Sequence, residues 1–169
     1  MTHAVTVERF RRLFEAEHAK VYRFVYAMVG AADAAKELTQ ETFFRAFRSF
    51  ETFEARSAPS TWLCGIARNV ALNHLRAQRA FDGREVPERV SSEAPERQLL
   101  SRELRDAIRV ALLDLDAEKR EAFTLKVLEE KSYEEIAAIT GSAIAKLKTD
   151  VHRARLQLRA ALAGYLEER

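Results

Sequence analysis

Apolar residues recur every three or four positions along most of this chain, the spacing of one face of a helix. Over residues 7–18 the stripe is Val7, Phe10, Leu13 and Phe14. Over residues 20–29 it continues with Val21, Phe24, Val25 and Met28, and Gly30 closes it. Residues 34–50 carry Leu38, Phe43, Phe44, Ala46, Phe47 and Phe50; residues 61–80 turn Leu63, Ile66, Ala67 and Val70 inward. The periodicity then stops. FDGREVPERVSSEAPERQ holds Gly83, Pro87, Pro95 and paired serines, the composition of an extended linker. It resumes at Leu99 with Leu100, Leu104, Ile108 and Leu112; Asp116 is placed to cap a further helix carrying Phe123, Leu125, Val127 and Leu128. No run rich in Val, Ile and Thr alternates as a strand would. The fold predicted is all-α: two small helical domains, residues 1–80 and 99–169, joined by a flexible linker at 81–98, without internal repeats.

The most specific local signal is SYEEIAAITGSAIAKLKTDVHRAR, residues 132–155. Ser132 with Glu135 forms a capping box that starts a short helix. Ile136 and Ile139 give it an apolar side, and Gly141 permits a sharp turn. The next helix buries Ile144, Leu147, Val151, Ala154 and Leu158 and presents Lys146, Lys148, Thr149, Arg153 and Arg155. This is a helix-turn-helix whose second helix carries long donors suited to phosphates and base edges. Tyr133 reads as a packing residue.

Charge matters here by its distribution. The 28 Lys and Arg against 26 Asp and Glu leave only +2. Yet residues 114–135 are mostly acidic, whereas residues 146–159 are basic with Asp150 the one acid. A second basic run, Arg68, Arg76, Arg79 and Arg84, follows Trp62. Two basic helices in separate domains fit a nucleic acid touched twice. Other chemistry is empty. His3, His18, His74 and His152 lack ligand spacing, so no metal is expected. The single Cys64 excludes an internal disulfide and reads as a buried, inert thiol. The pairs Glu129–Glu130 and Glu134–Glu135 read as an acidic face. No phosphate-binding loop, signal peptide or bilayer-spanning run stands out. No cofactor, no catalytic residue, no membrane partner and a cytoplasmic location are expected.

LTQETFFRAFRSF (residues 38–50), followed by STWLCGIARNVALNHLRAQR (residues 60–79), resembles the second region of extracytoplasmic-function sigma factors. ALLDLDAEKREAFTLKVLEEKSYEEIAAITG, then VHRAR, resembles their fourth region. The resemblance covers almost the whole chain outside the linker. It implies an initiation subunit of bacterial RNA polymerase. The first domain would dock on the clamp helices of the core and open the minus-ten element; the second would dock on the flap and read the minus-thirty-five element of promoter DNA. The core performs the chemistry. By this resemblance Lys36, Glu37, Gln40, Glu41, Phe44 and Arg45 would face polymerase. Arg68 and Asn69, the family's "ARN", with Trp62, Asn73 and Arg76, would meet the opened strand, whose unstacked bases are caught by stacking and by bonds to their freed edges. Trp62 has packing as its competing role. The loop of residues 51–60 lies where the family holds a flipped base.

Two departures from the family stand out. An acidic cluster usually precedes Leu38; here Ala34, Ala35, Lys36 and Glu37 occupy it. Phosphorylation would restore the missing charge. Thr39, spaced to share a surface with Ala35 and Lys36, is the first candidate acceptor, with Thr42 and Thr52 as alternatives. Regulation by a serine/threonine kinase or by an anti-sigma factor is thus expected. In the last basic helix Ala143, Ala145, Lys146 and Asp150 replace the family's usual residues, so its specificity should be unusual, with Asp150 repelling phosphate or accepting from a cytosine amino group. The competing function is an autonomous helix-turn-helix regulator with a helical sensor domain. The block at residues 38–79 argues against it.

Overall fold

The computed structural model describes residues 2–53, 56–81 and 96–167. The elements are α1 (Thr2–Val29), α2 (Ala32–Ser49), a 3-10 turn (Phe50–Thr52), α3 (Pro59–Ala80), α4 (Glu96–Asp114), α5 (Ala117–Phe123), a π turn (Thr124–Leu128), α6 (Tyr133–Thr140), α7 (Ile144–Ala161) and α8 (Ala163–Leu166). Among the described residues there is no strand.

The stripes over residues 7–18 and 20–29 belong to one helix, the 28-residue α1. Between Phe14 and Val21 lie Glu15, Ala16, Glu17, His18, Ala19 and Lys20, none of which breaks a helix, so the backbone bonds simply continue. Gly30 ends it at φ +75° and donates its N–H to Tyr26 O at 2.8 Å, a left-handed cap that glycine adopts without strain. Pro59 opens α3 in its first turn, where its missing N–H costs nothing. The capping signals formed as expected. Asp116 accepts from the Lys119 N–H; Ser132 and Glu135 complete a reciprocal capping box; Gly141 caps α6 at φ 73°. α4 starts at Glu96, three residues before the first apolar position of its stripe.

α1, α2 and α3 pack around Phe24, Val25, Met28, Phe43 and Leu63, with Ala35, Ala46, Ala67 and Ala71 letting the backbones approach. At the other end of the chain the stripe of α7 is buried at Leu147, Val151, Ala154 and Leu158, as its periodicity requires. The buried residues of the two domains are continuous with one another. Ala122, Leu125, Ile136, Leu147 and Val151 belong to the same buried cluster as Phe24 and Leu63. A second cluster joins Ala27 of α1 to Ala111, Leu112 and Leu115 of α4 and to Ala154 and Leu158 of α7. α1 therefore has two buried sides, one toward α2 and α3, the other toward the second domain. The stripe of α4 is only partly buried: Leu112 is inside, whereas Leu104 and Ile108 are exposed.

Candidate nucleic-acid interface

An α-helix turns about 100° per residue, so Lys146 and Arg155, nine positions apart, lie on opposite flanks of α7. The line opposite the buried stripe is Thr149, His152, Arg153 and Leu156, all exposed. Lys148 and Arg155 border it on one side and Lys146 on the other. His152 and Leu156 lie outside the set of cations that the charge pattern of this helix marks. Their i, i+3, i+4, i+7 spacing with Thr149 was the available signal. A bare leucine there suits a thymine methyl, and an imidazole suits a base edge.

The structure corrects the expectation for Asp150. It is buried, and its carboxylate accepts from Lys146 Nζ at 2.6 Å. It lies off the exposed line of α7, with Lys146 as its partner. Lys146 also donates to Glu118 at 2.7 Å. These bonds, to Asp150 foremost, hold its ammonium above the ordinary lysine range and offset its charge. Lys148 and Lys126 lie over the ring of Tyr133, at 5.7 and 4.6 Å, which makes Tyr133 the packing residue expected.

On α3, Asn69, Asn73 and Arg76 are exposed and follow one line of the helix. Arg76 Nη1 donates to Asn73 Oδ1 at 3.3 Å. Arg68 stands apart from them. Its Nε donates to Glu121 Oε1 of α5, with Nη2 at 3.5 Å from Oε2. Burial pushes the Glu121 carboxyl above the usual range, and the Arg68 guanidinium opposes that shift. Trp62 is half-buried, stacked on Phe53 at 4.6 Å and tilted against Phe50 at 6.2 Å. Its present role is packing under the 3-10 turn. Cys64 is buried, and desolvation raises its thiol to about 11, which disfavours the thiolate form.

α2 divides into an outer and an inner side. Lys36, Glu37, Gln40, Phe44 and Arg45 are exposed, with Phe44 at 57% accessibility; Glu41 is half-buried and accepts from Arg45 Nε at 2.6 Å. Thr39 and Thr42 are on the inner side, 1% and 0% exposed, and donate to Ala35 O at 2.6 Å and Leu38 O at 2.8 Å. They do not share the surface of Lys36, and a kinase cannot reach them in the folded chain. Thr52 is exposed and donates to Ser49 O at 2.9 Å. The acidic pairs are also divided: Glu129 binds Arg23, and Glu135 caps α6.

Arg84, the linker 82–95 and the middle of the loop after Thr52 lie outside the described residues. Among the described residues no group of acidic, His and Cys side chains could hold a metal ion, and no helix is long and apolar enough to cross a membrane.

Comparison with known proteins places both halves. Residues 13–81 match Sigma-70 region 2, and residues 105–158 match Sigma-70, region 4. The chain is 30% identical over 174 aligned positions to the RNA polymerase sigma factor YlaC of Bacillus subtilis, covering 99% of this chain and 98% of that one. It is 35% identical to the ECF RNA polymerase sigma factor SigC of Mycobacterium tuberculosis, over 83% of this chain and 76% of the relative. Among solved structures it is similar to the sigma factor RpoE from Bartonella quintana, seen in complex with the anti-sigma factor NepR, with a TM-score of 0.75 at 28% identity over 92% of this chain and 98% of that one. Matched in order by both regions and end to end by such relatives, the chain belongs to the extracytoplasmic-function group of the sigma-70 family of RNA polymerase sigma factors.

Proposed function

We propose that this chain directs core RNA polymerase to specific promoters and helps to open them, α2 docking on the clamp and α7 reading the upstream element. The observation that carries this reading is the coexistence of exposed faces of two different characters on α2, α3 and α7. The outer side of α2 is mixed in charge with a bare phenylalanine, Phe44, at its centre. The outer sides of α3 and α7 hold Asn69, Asn73 and Arg76, and Lys148, Thr149, His152 and Arg153. The first suits a protein surface and the others suit nucleic acid. Neither domain needs a catalytic group of its own for this role.

Regulation belongs to the same reading. The likeness to a sigma factor held by an anti-sigma factor supports control by a protein partner. With Thr39 and Thr42 inside, kinase control is narrowed to Thr52, which follows α2 in the exposed 3-10 turn. The test is reconstitution: purified chain and core polymerase on a library of promoter fragments. Core-dependent, sequence-specific transcription is the expected result. Tight specific binding of duplex by the chain without core would instead favour an autonomous regulator.

A further inference from the structure

The lysines around α7 are held in two different ways. Lys146 is bound by two carboxylates, Asp150 and Glu118, which offset its charge. Lys148 is held by a ring instead. Its ammonium lies 5.7 Å from the centroid of Tyr133, and the ammonium of Lys126 lies 4.6 Å from the same centroid. An aromatic face attracts a cation without cancelling its charge. Among the described residues neither ammonium meets a carboxylate. Lys126 Nζ donates to Lys131 O at 3.3 Å, and an ammonium has further donors to offer.

Three elements build this arrangement. Lys126 comes from the π turn, closed by the Glu129 N–H on Thr124 O at 3.0 Å; such turns are rare and recur at functional sites. Tyr133 is the first residue of α6, fixed by the capping box before it. Lys148 is exposed on α7. Of the neighbouring acids, Glu129 is tied to Arg23 and Glu135 to the cap.

We propose that Lys126 and Lys148 together grip one stretch of DNA backbone phosphate, with Tyr133 as the positioning residue that holds both ammonium groups in place before the DNA arrives. Their location favours phosphate over base edges. A helix with its side chains is about 10–12 Å across, and the major groove is about 12 Å wide. Residues on the flank of a helix lying in that groove therefore meet its wall, which is backbone. Lys148 borders the outward line of α7, and Lys126 stands beyond it on another element. Two like charges held around one ring repel each other, and an anion beside both relieves that repulsion. The inference rests on the function proposed above in taking α7 as the reader of duplex DNA, and it adds Lys126 and Tyr133 to that reading.

Titrations against duplex at several salt concentrations test it in two settings. One is the complex with core polymerase on a promoter fragment recovered from the library. The other is the full free chain on a fluorescent duplex of arbitrary sequence at low salt. In both, Lys126→Ala should make the slope of log affinity against log salt shallower by about one unit, and it should lower use of all promoters alike without reordering them. Tyr133→Leu should weaken binding about fivefold, whereas Tyr133→Phe, which keeps the ring, should bind as wild type does. With Lys126→Ala and Lys148→Ala already present, Tyr133→Leu should cost nothing more; a loss caused by disturbed folding would persist there. An unchanged slope in Lys126→Ala, or a reordered promoter preference, would overturn the phosphate grip. A Tyr133→Leu loss that persists without the two lysines, or Tyr133→Phe as weak as Tyr133→Leu, would overturn the positioning role. If no form directs core to a promoter, wild type included, the promoter-directing reading fails, while the slopes on the arbitrary duplex still decide the grip.

Discussion

Ser132 and Glu135 satisfy two backbone donors at the start of α6, Glu135 Oε2 accepting from the Ser132 N–H at 2.7 Å and Ser132 Oγ from the Glu135 N–H at 3.1 Å. Ser132→Ala should cost about 1 kcal/mol of stability, read as a lower denaturant midpoint. The bond from the Ser132 backbone holds the Glu135 carboxyl below its ordinary value of 4.5. A carboxyl depressed in the folded state stabilises above its unfolded pKa and loses that contribution as pH falls through the folded one. The gap in stability between wild type and Glu135→Gln should therefore be full near pH 6 and shrink below pH about 4.5, which urea titrations at several pH values would reveal. This cap was legible in the sequence because both partners lie within three residues. The role of Arg120, buried in α5, was not. Its partners are the main-chain carbonyls of Met28, Leu113 and Leu115, and carbonyls leave no mark in a sequence. Glu121 and Glu129 read as ordinary surface acids for the same reason: Arg68 and Arg23 are far away along the chain.

At the scale of the element, α7 separates cations that the sequence alone groups together. Arg153 lies on the outward line and Lys148 beside it, whereas Lys146 is bound to two carboxylates. In the polymerase complex, Arg153→Ala should weaken use of the upstream element by roughly 1–3 kcal/mol, and Lys148→Ala should make the salt dependence shallower by about one unit. Lys146→Ala should leave both nearly unchanged. Promoter titrations at several salt concentrations compare the three. Equal losses from all three would mean that Lys146 leaves its carboxylates on DNA. For α3, Asn69→Ala should slow open-complex formation, measured by permanganate footprinting, while core binding stays at the wild-type level. α2 carries the third test. Its outer side carries Lys36 and no acid at position 34, so, with a basic clamp as the docking partner proposed above, Ala34→Asp with Lys36→Glu should raise core affinity in a filter or interferometry assay. Helical periodicity located all three helices, but it could not assign the inner side of α2, because Thr39 and Thr42 are polar residues that bury themselves by bonding their own helix at i−4.

For the whole molecule, the sequence shows a break in periodicity after α3 and suggests two bodies. It cannot show that Phe24 and Leu63 share one buried cluster with Leu125, Ile136 and Val151, since each of these positions would be equally apolar in two separate cores. A shared core couples the stabilities of its parts. Calorimetry of the free wild-type chain should accordingly give one unfolding transition. Arg120→Met should divide it into two, the first-domain transition lying nearer the wild-type midpoint. Two resolved transitions in the wild type would mean that the domains melt independently.

The stacking of Trp62 against Phe53 and Phe50 has an optical consequence. The chain contains a single tryptophan, so all indole emission comes from the floor of the loop that follows α2. Unstacking of Phe53, or arrival of a nucleobase in its place, changes the polarity and quenching around one fluorophore only. Because core polymerase brings tryptophans of its own, a 5-fluorotryptophan label placed in this chain alone would give one fluorine resonance. Its shift would follow that loop through docking and promoter opening.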